Sequence, residues 1–248
     1  VCIEIATVWQ SAGLMSEERV RLESAAVRFG RQVVLRDISV ALHAGELACV
    51  RGVNGAGKTT LLRLVAGLAR PTRGTRVGPR ACAYVPPAMS PPSLSVRHWL
   101  RSVKQARSTD PFALLAGLGF EGDVRASCRR LSFGNLRKVL LADAFSSGMR
   151  IVIVDEPHVG LDHRGREGLT ALVDQARVQG ATVLFAVQDG EIVLGVDHPL
   201  IVRDRALYDG GSDETDTHVT LRGPAITRNQ LIADAARLGY RPIGPDPE

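Results

Sequence analysis

Gly52-Val53-Asn54-Gly55-Ala56-Gly57-Lys58-Thr59-Thr60 is the stretch whose reading decides the fold. Its first eight residues match G-x-x-x-x-G-K-[ST] at every fixed position. Gly52, Gly55 and Gly57 let the backbone curl tightly, so that successive N–H groups from Gly52 through Val53, Asn54 and Ala56 to Thr60 point inward at phosphate oxygens. Lys58 brings a point charge toward the outer phosphates, and the Thr59 hydroxyl is placed to ligate magnesium. Residues 46–50 read as a short buried strand and residues 60–67 as a helix whose N-terminus adds a favourable dipole. Strand, glycine loop and helix form the context that the motif requires.

Further along, the apolar run Ile151-Val152-Ile153-Val154 ends in Asp155-Glu156. A buried strand that ends in two adjacent acids is costly without a cation or a catalytic task. Loop and acids together imply a chain that binds a nucleoside triphosphate with magnesium and sets a spare carboxylate beside the terminal phosphate.

The 248 residues suffice for one large domain or one domain with a small insertion, and a hydrophobic fraction of 45% supports a real core. Net charge is +5 and aromatics are only 4%. That mild basic excess fits work near anionic lipid but is too diffuse for nucleic acid, so no nucleic-acid partner is expected. Cys2, Cys49, Cys82 and Cys128 form no CxxC pair and no metal-ligand spacing, which reads as reduced thiols of a cytoplasmic protein. No segment is long and apolar enough to cross a bilayer. Residues 1–14 carry Glu4 and no positive leader, so a signal peptide is not expected, and Met15-Ser16-Glu17-Glu18 resembles a natural start.

Between residues 20 and 50, alternating patterns at 20–23, 26–29 and 38–42 read as strands of an antiparallel subdomain that feeds the phosphate-loop strand. Residues 71–74 read as a turn and 81–85 as a strand. Pro86, Pro87, Pro91 and Pro92 mark a loop, followed by helical spacing over 95–104 and 111–118. Residues 135–145 and 166–179 read as helices, 181–187 and 200–203 as strands, and 209–216 as an acidic loop. Thr227 can cap a last helix through Leu238. The expected class is α/β: a P-loop NTPase fold with a central, mainly parallel sheet, an N-terminal antiparallel β subdomain and a small helical insertion at about residues 88–145. Residues 1–19 read as an N-terminal extension, 20–220 as the ATP-binding domain and 221–248 as a C-terminal helical tail.

The order of motifs resembles the nucleotide-binding domain of ABC transporters over about residues 20–210. Arg28-Phe29-Gly30 lies where that family puts an aromatic ring on adenine. Leu131-Ser132-Phe133-Gly134-Asn135 sits where it has LSGGQ. Asp155 to Asp162 is similar to its Walker B motif and D-loop, and residues 183–189 to the strand that leads into its switch histidine. The resemblance implies ATP and magnesium as ligands. Phe29 would stack on adenine, with core packing as the rival reading. Asp155 would hold magnesium, Glu156 would be the general base, and Ser132 and Gly134 would reach a partner's terminal phosphate. Asp162 would sit at a dimer interface, with an N-cap as its rival. An integral membrane permease subunit and a second ATP-binding subunit, identical or different, are the implied partners. The implied location is the cytoplasmic face of the cell membrane.

Four positions depart from the pattern. Pro87 stands where the family has a metal-sensing glutamine and offers neither a side-chain donor nor an N–H, so sensing there must be lost or moved. Gln188 replaces the histidine; it can hydrogen-bond a phosphate but carries no charge, which would weaken the transition state by about 1–3 kcal/mol. Phe133 and Asn135 replace glycine and glutamine of the signature, and a phenylalanine would be strained at a glycine-type positive φ. The leading expectation is an ATP-hydrolysing subunit that powers a separate permease. The alternatives are a regulatory, weakly hydrolysing half of an unequal pair and, least favoured, a soluble ATPase for nucleic-acid work.

Overall fold

The computed structural model describes residues 4–7, 17–102, 109–189, 193, 195–210 and 240–243. Strands β1 (Glu4–Thr7), β2 (Glu18–Phe29), β3 (Gln32–His43) and β4 (Leu47–Arg51) precede helix α1 (Lys58–Val65). β5 (Arg73–Val77), β6 (Ala83–Val85), α2 (Val96–Ser102), α3 (Pro111–Gly117) and α4 (Phe133–Ser146) follow. The chain continues through β7 (Ile151–Asp155), α5 (His163–Val178), β8 (Thr182–Ala186), β9 (His198–Arg203), β10 (Ala206–Asp209) and β11 (Tyr240–Ile243).

The central sheet has six strands in the order β10-β9-β4-β8-β7-β6. β9, β4, β8, β7 and β6 run parallel, and only the edge strand β10 is antiparallel. Both faces of the sheet are covered, so its strands are continuous apolar runs rather than alternating ones. Alternation reappears in what each residue meets. Leu47, Cys49, Val152, Val154, Val183 and Phe185 join the core beneath α3, α4 and α5. Ala48, Val50, Ile151, Ile153, Leu184 and Ala186 join the core shared with α1 and the antiparallel sheet. Fold class and layers are those expected.

β3, β2 and β5 make the antiparallel sheet. β5 is a correction to the turn expected at 71–74. β2 bulges at Ser24, whose φ is 45°, and Gly74 lies against that bulge with φ 73°. A Cβ on Gly74 would stand 2.3 Å from the carbonyl oxygens of both Glu23 and Ser24. The glycine therefore marks a close strand approach, not the end of one. β10 is a strand that ends at Asp209, and residues 211–216 of the acidic loop expected at 209–216 lie outside the described residues. The extension and tail expected at 1–19 and 221–248 each contribute a strand, β1 and β11, which pair antiparallel. The helix expected at 227–238 and the end of the helix expected at 95–104 lie outside the described residues. Among the described residues, Cys49, Cys82 and Cys128 form no disulfide. Among the described residues no helix is long and apolar enough to cross a membrane.

Candidate functional site

Four neighbouring parallel strands, β4, β8, β7 and β6, deliver their C-terminal ends to one crevice, the usual ligand position of an open α/β sheet. β4 leads into the loop 52–57, β7 into Asp155-Glu156, β8 into Gln188 and β6 into Pro86-Pro87. Two backbone bonds beyond the ladders hold these ends in step: Val187 N–H donates to the Val50 carbonyl and Glu156 N–H to the Ala186 carbonyl, each at 2.9 Å.

The loop folds as its glycines demand. Gly52, Gly55 and Gly57 have φ of 155°, 81° and 110°. A Cβ on Gly52 would lie 2.5 Å from the Val202 carbonyl oxygen, and one on Gly57 would lie 3.0 Å from Leu35. Val53, Asn54 and Gly55 are exposed, Ala56, Thr59 and Thr60 half-buried, and Lys58 buried. Lys58 Nζ donates to the carbonyls of Gly52 at 2.5 Å and Val53 at 3.1 Å, so its charge is held over the loop.

Thr59 Oγ1 donates to Asp155 Oδ2 at 2.6 Å. This single contact joins residues that are 96 apart in sequence and puts both expected magnesium ligands in one place. Burial pushes the Asp155 carboxyl above its ordinary value, and neighbouring Glu156 adds to the rise; Thr59, Arg137 and Lys58 oppose it. A buried carboxylate next to a hydroxyl is a donor set that suits a small hard cation, so the residues present fit magnesium.

Glu156 follows Asp155 with φ 51° and is half-buried. Gln188 Nε2 donates to Glu156 Oε1 at 3.3 Å. The expected base and the residue at the switch position therefore touch.

Phe29 ends β2 and is 62% exposed, which removes the core-packing alternative. It stands at the hairpin of β2 and β3, whose Val34 and Leu35 pack beside Gly57.

The signature segment lies apart from the loop: among the described residues no hydrogen bond joins Ser132 or Gly134 to residues 52–59. Ser132 is the N-cap of α4, and its Oγ accepts from Asn135 N–H at 3.2 Å. Phe133 is the first residue of that helix and has no positive φ, which corrects the strain expected there. Its effect is steric instead. A Cβ on Gly160 would lie 2.6 Å from the Phe133 ring, and one on Gly134 would lie 2.5 Å from the Gly160 carbonyl oxygen. Asp162 caps α5 by accepting from Gly165 N–H at 2.7 Å and pairs with Lys138 at 2.8 Å. These hydrogen bonds, the Lys138 one foremost, hold its carboxyl below the ordinary range.

Sequence reasoning missed Arg137. It is 1% exposed and donates to the carbonyls of Pro86, Asp155 and Glu156. The available signal was its position: Leu140, Leu141 and Ala144, at the next helical turns, put residue 137 on an apolar face. A further cavity, about 420 Å³, opens beside Tyr84, Pro86, Met89, Trp99, Leu140 and Asp143. Trp99 Nε1 donates there to Asp143 at 3.0 Å, tying α2 to α4.

Comparison with known proteins agrees with this geometry. Residues 35–159 match the family model described as ABC transporter. Two relatives called zinc import ATP-binding protein ZnuC, from Pseudomonas fluorescens strains Pf0-1 and Pf-5, are each 32% identical over 206 residues, covering 81% of this chain and 79% of theirs. Among solved structures, the ATP-binding subunit of an ABC transporter aligns with a TM-score of 0.68 at 22% identity, over 76% of this chain and 88% of that one. A dimeric ATP-binding cassette in a post-hydrolysis state with ADP and phosphate aligns with a TM-score of 0.65 at 19% identity, over 82% and 99%.

Proposed function

The chain belongs to the ABC transporter family as an ATP-binding domain, and from that premise we propose that it hydrolyses ATP to power a separate membrane permease. The observation that carries the reading is the 2.6 Å contact of Thr59 with Asp155, with Glu156 next in the chain. In this reading the N–H groups of residues 52–60 cradle the phosphates, Lys58 turns its ammonium from the loop carbonyls to the outer phosphates, and Phe29 stacks on adenine. Thr59 and Asp155 hold magnesium, which when bound offsets charge on the phosphate oxygens. Glu156 holds the attacking water and takes its proton as the water oxygen bonds to the terminal phosphorus and the bond to the bridging oxygen breaks. Gln188, hydrogen-bonded to Glu156, orients that carboxylate.

Ser132 and Phe133 are exposed, which supports a signature presented to a second ATP-binding subunit, identical or different. The cavity beside Pro86 and Trp99 is the proposed seat of the permease, with the chain peripheral on the cytoplasmic face of the membrane. The name of the 32% identical relatives makes uptake the direction to test first. One observation favours a second reading: Phe133 fills the space over Gly160 in the signature segment, as in a regulatory half with little hydrolysis of its own.

Steady-state ATP turnover of the purified chain beside Glu156→Gln and Lys58→Ala separates the two. The first reading expects turnover that both variants lose. Wild-type turnover equal to that of Glu156→Gln, with MgATP still bound, would leave the regulatory reading.

A further inference from the structure

Arg137 donates to main-chain oxygens of three residues and, among the described residues, to no carboxylate: the Pro86 carbonyl, the Asp155 carbonyl at 2.5 Å and the Glu156 carbonyl at 2.8 Å. The last two belong to the peptide groups on either side of the Glu156 Cα. Fixing both peptides fixes the rotation of the backbone that carries the Glu156 side chain. Glu156 needs such a restraint, because at φ 51° it sits in the left-handed region that a glutamate seldom adopts. Burial lowers the Arg137 guanidinium to about 10, with Asp155 and Glu156 opposing the drop, so it stays charged at neutral pH. A planar, charged fork can reach several acceptors at once, which a lysine ammonium on its flexible stem cannot do in the same geometry.

The other end of the fork lies at Pro86, directly before Pro87. Pro86 also borders the cavity beside Trp99, together with Leu140 and Asp143 of α4, the helix that carries Arg137. One side chain therefore spans the cavity wall, the helix that Ser132 caps and the end of β7. Pro87 itself has no side-chain donor or acceptor and no N–H with which to report on the site. The link from this segment to the acids runs instead through the Pro86 main chain and Arg137.

We propose that Arg137 is a positioning residue that holds Glu156 in the geometry of a general base and ties it to the Pro86-Pro87 segment. This rests on the hydrolysis reading above. The test uses the full chain and compares wild type, Glu156→Gln, Arg137→Lys and Arg137→Met. Three quantities are read: kcat for MgATP, the ATP dissociation constant, and hydrogen exchange of the Glu156 amide, which is bonded to Ala186. The expected result for both Arg137 variants is a kcat lower by roughly tenfold to a hundredfold, ATP affinity within about twofold of wild type, and faster exchange at Glu156 than at amides within α4. Arg137→Lys keeps the charge, so its failure to restore kcat separates geometry from charge. Wild-type turnover no higher than that of Glu156→Gln overturns both the hydrolysis reading and this proposal. Turnover above that of Glu156→Gln that survives Arg137→Lys unchanged overturns the positioning role alone. So does a loss of kcat matched by an equal loss of ATP affinity.

Discussion

The phosphate loop and the signature segment are built in opposite ways. In the first, Lys58 and Asp155 are buried, and Gly52 lies where a side chain would strike the backbone of Val202. In the second, Ser132 and Phe133 face solvent, held by the Ser132 cap and by the packing on Gly160. The loop side keeps every residue type that its chemistry asks for, whereas the signature side departs at Phe133 and Asn135. Groups that act inside their own chain are fixed by their own core. Groups offered outward need only a scaffold, and substitution there leaves the fold intact.

The largest effect that would sharpen this contrast is Lys58→Ala. It removes the loop's buried charge, and turnover should fall by roughly 10³-fold, with MgATP binding weakened as well. Equal turnover in a coupled assay would break the comparison. Glu156→Gln should lower kcat by roughly 10²–10⁴-fold and leave equilibrium ATP binding intact, because the amide cannot take a proton from water. A proportional loss of binding would mean that Glu156 holds the nucleotide instead.

On the signature side the effects should appear in stability. Gly160 has φ 77°, and a Cβ there meets the Phe133 ring. Gly160→Ala should destabilise the fold by about 1–3 kcal/mol, seen as a lower Tm. Adding Phe133→Gly should recover the steric part and leave the cost of the backbone angle. No recovery would show that Phe133 does not crowd that position.

The smallest effect lies far from both regions. His198 Nδ1 and His43 Nδ1 each lie 3.2 Å from an oxygen of Glu46. The Glu46 carboxylate, with Asp209 adding to it, holds His198 above its ordinary 6.5, against the pull of burial. A raised value means stability that is fully present below about pH 6.5 and fades as pH rises through the folded-state value. The change should be at most about 1 kcal/mol. Chemical denaturation at pH 6 and pH 8 should show it in wild type and not in His198→Gln.

Much of this was legible in the sequence because the chain repeats its message at several levels. The apolar runs of β4, β7 and β8 are each bounded by chemistry at the same end, which places loop, acids and Gln188 together before any coordinates are known. β5 stayed hidden because Pro71, Thr72 and Gly74 carry turn chemistry, and only the bulge at Ser24 explains the glycine. The ends of α4 were legible but not its interior. Leu136 to Ala142 are buried all round, Arg137 and Lys138 included, so the spacing puts residue 137 on an apolar face without saying what its charge meets there. Their roles depend on carbonyls and a carboxylate from distant segments, which local patterning does not encode.

The central claim is that Thr59 and Asp155 form one cation-dependent nucleotide site. Its most direct test is equilibrium ATP binding to the Glu156→Gln chain, with magnesium and with a chelator, beside the Asp155→Ala double variant. The account predicts tight binding with magnesium that weakens at least about tenfold on chelation, and an Asp155→Ala chain in which magnesium makes little difference. Equal affinity with and without magnesium, or an undiminished magnesium effect after Asp155→Ala, would contradict it.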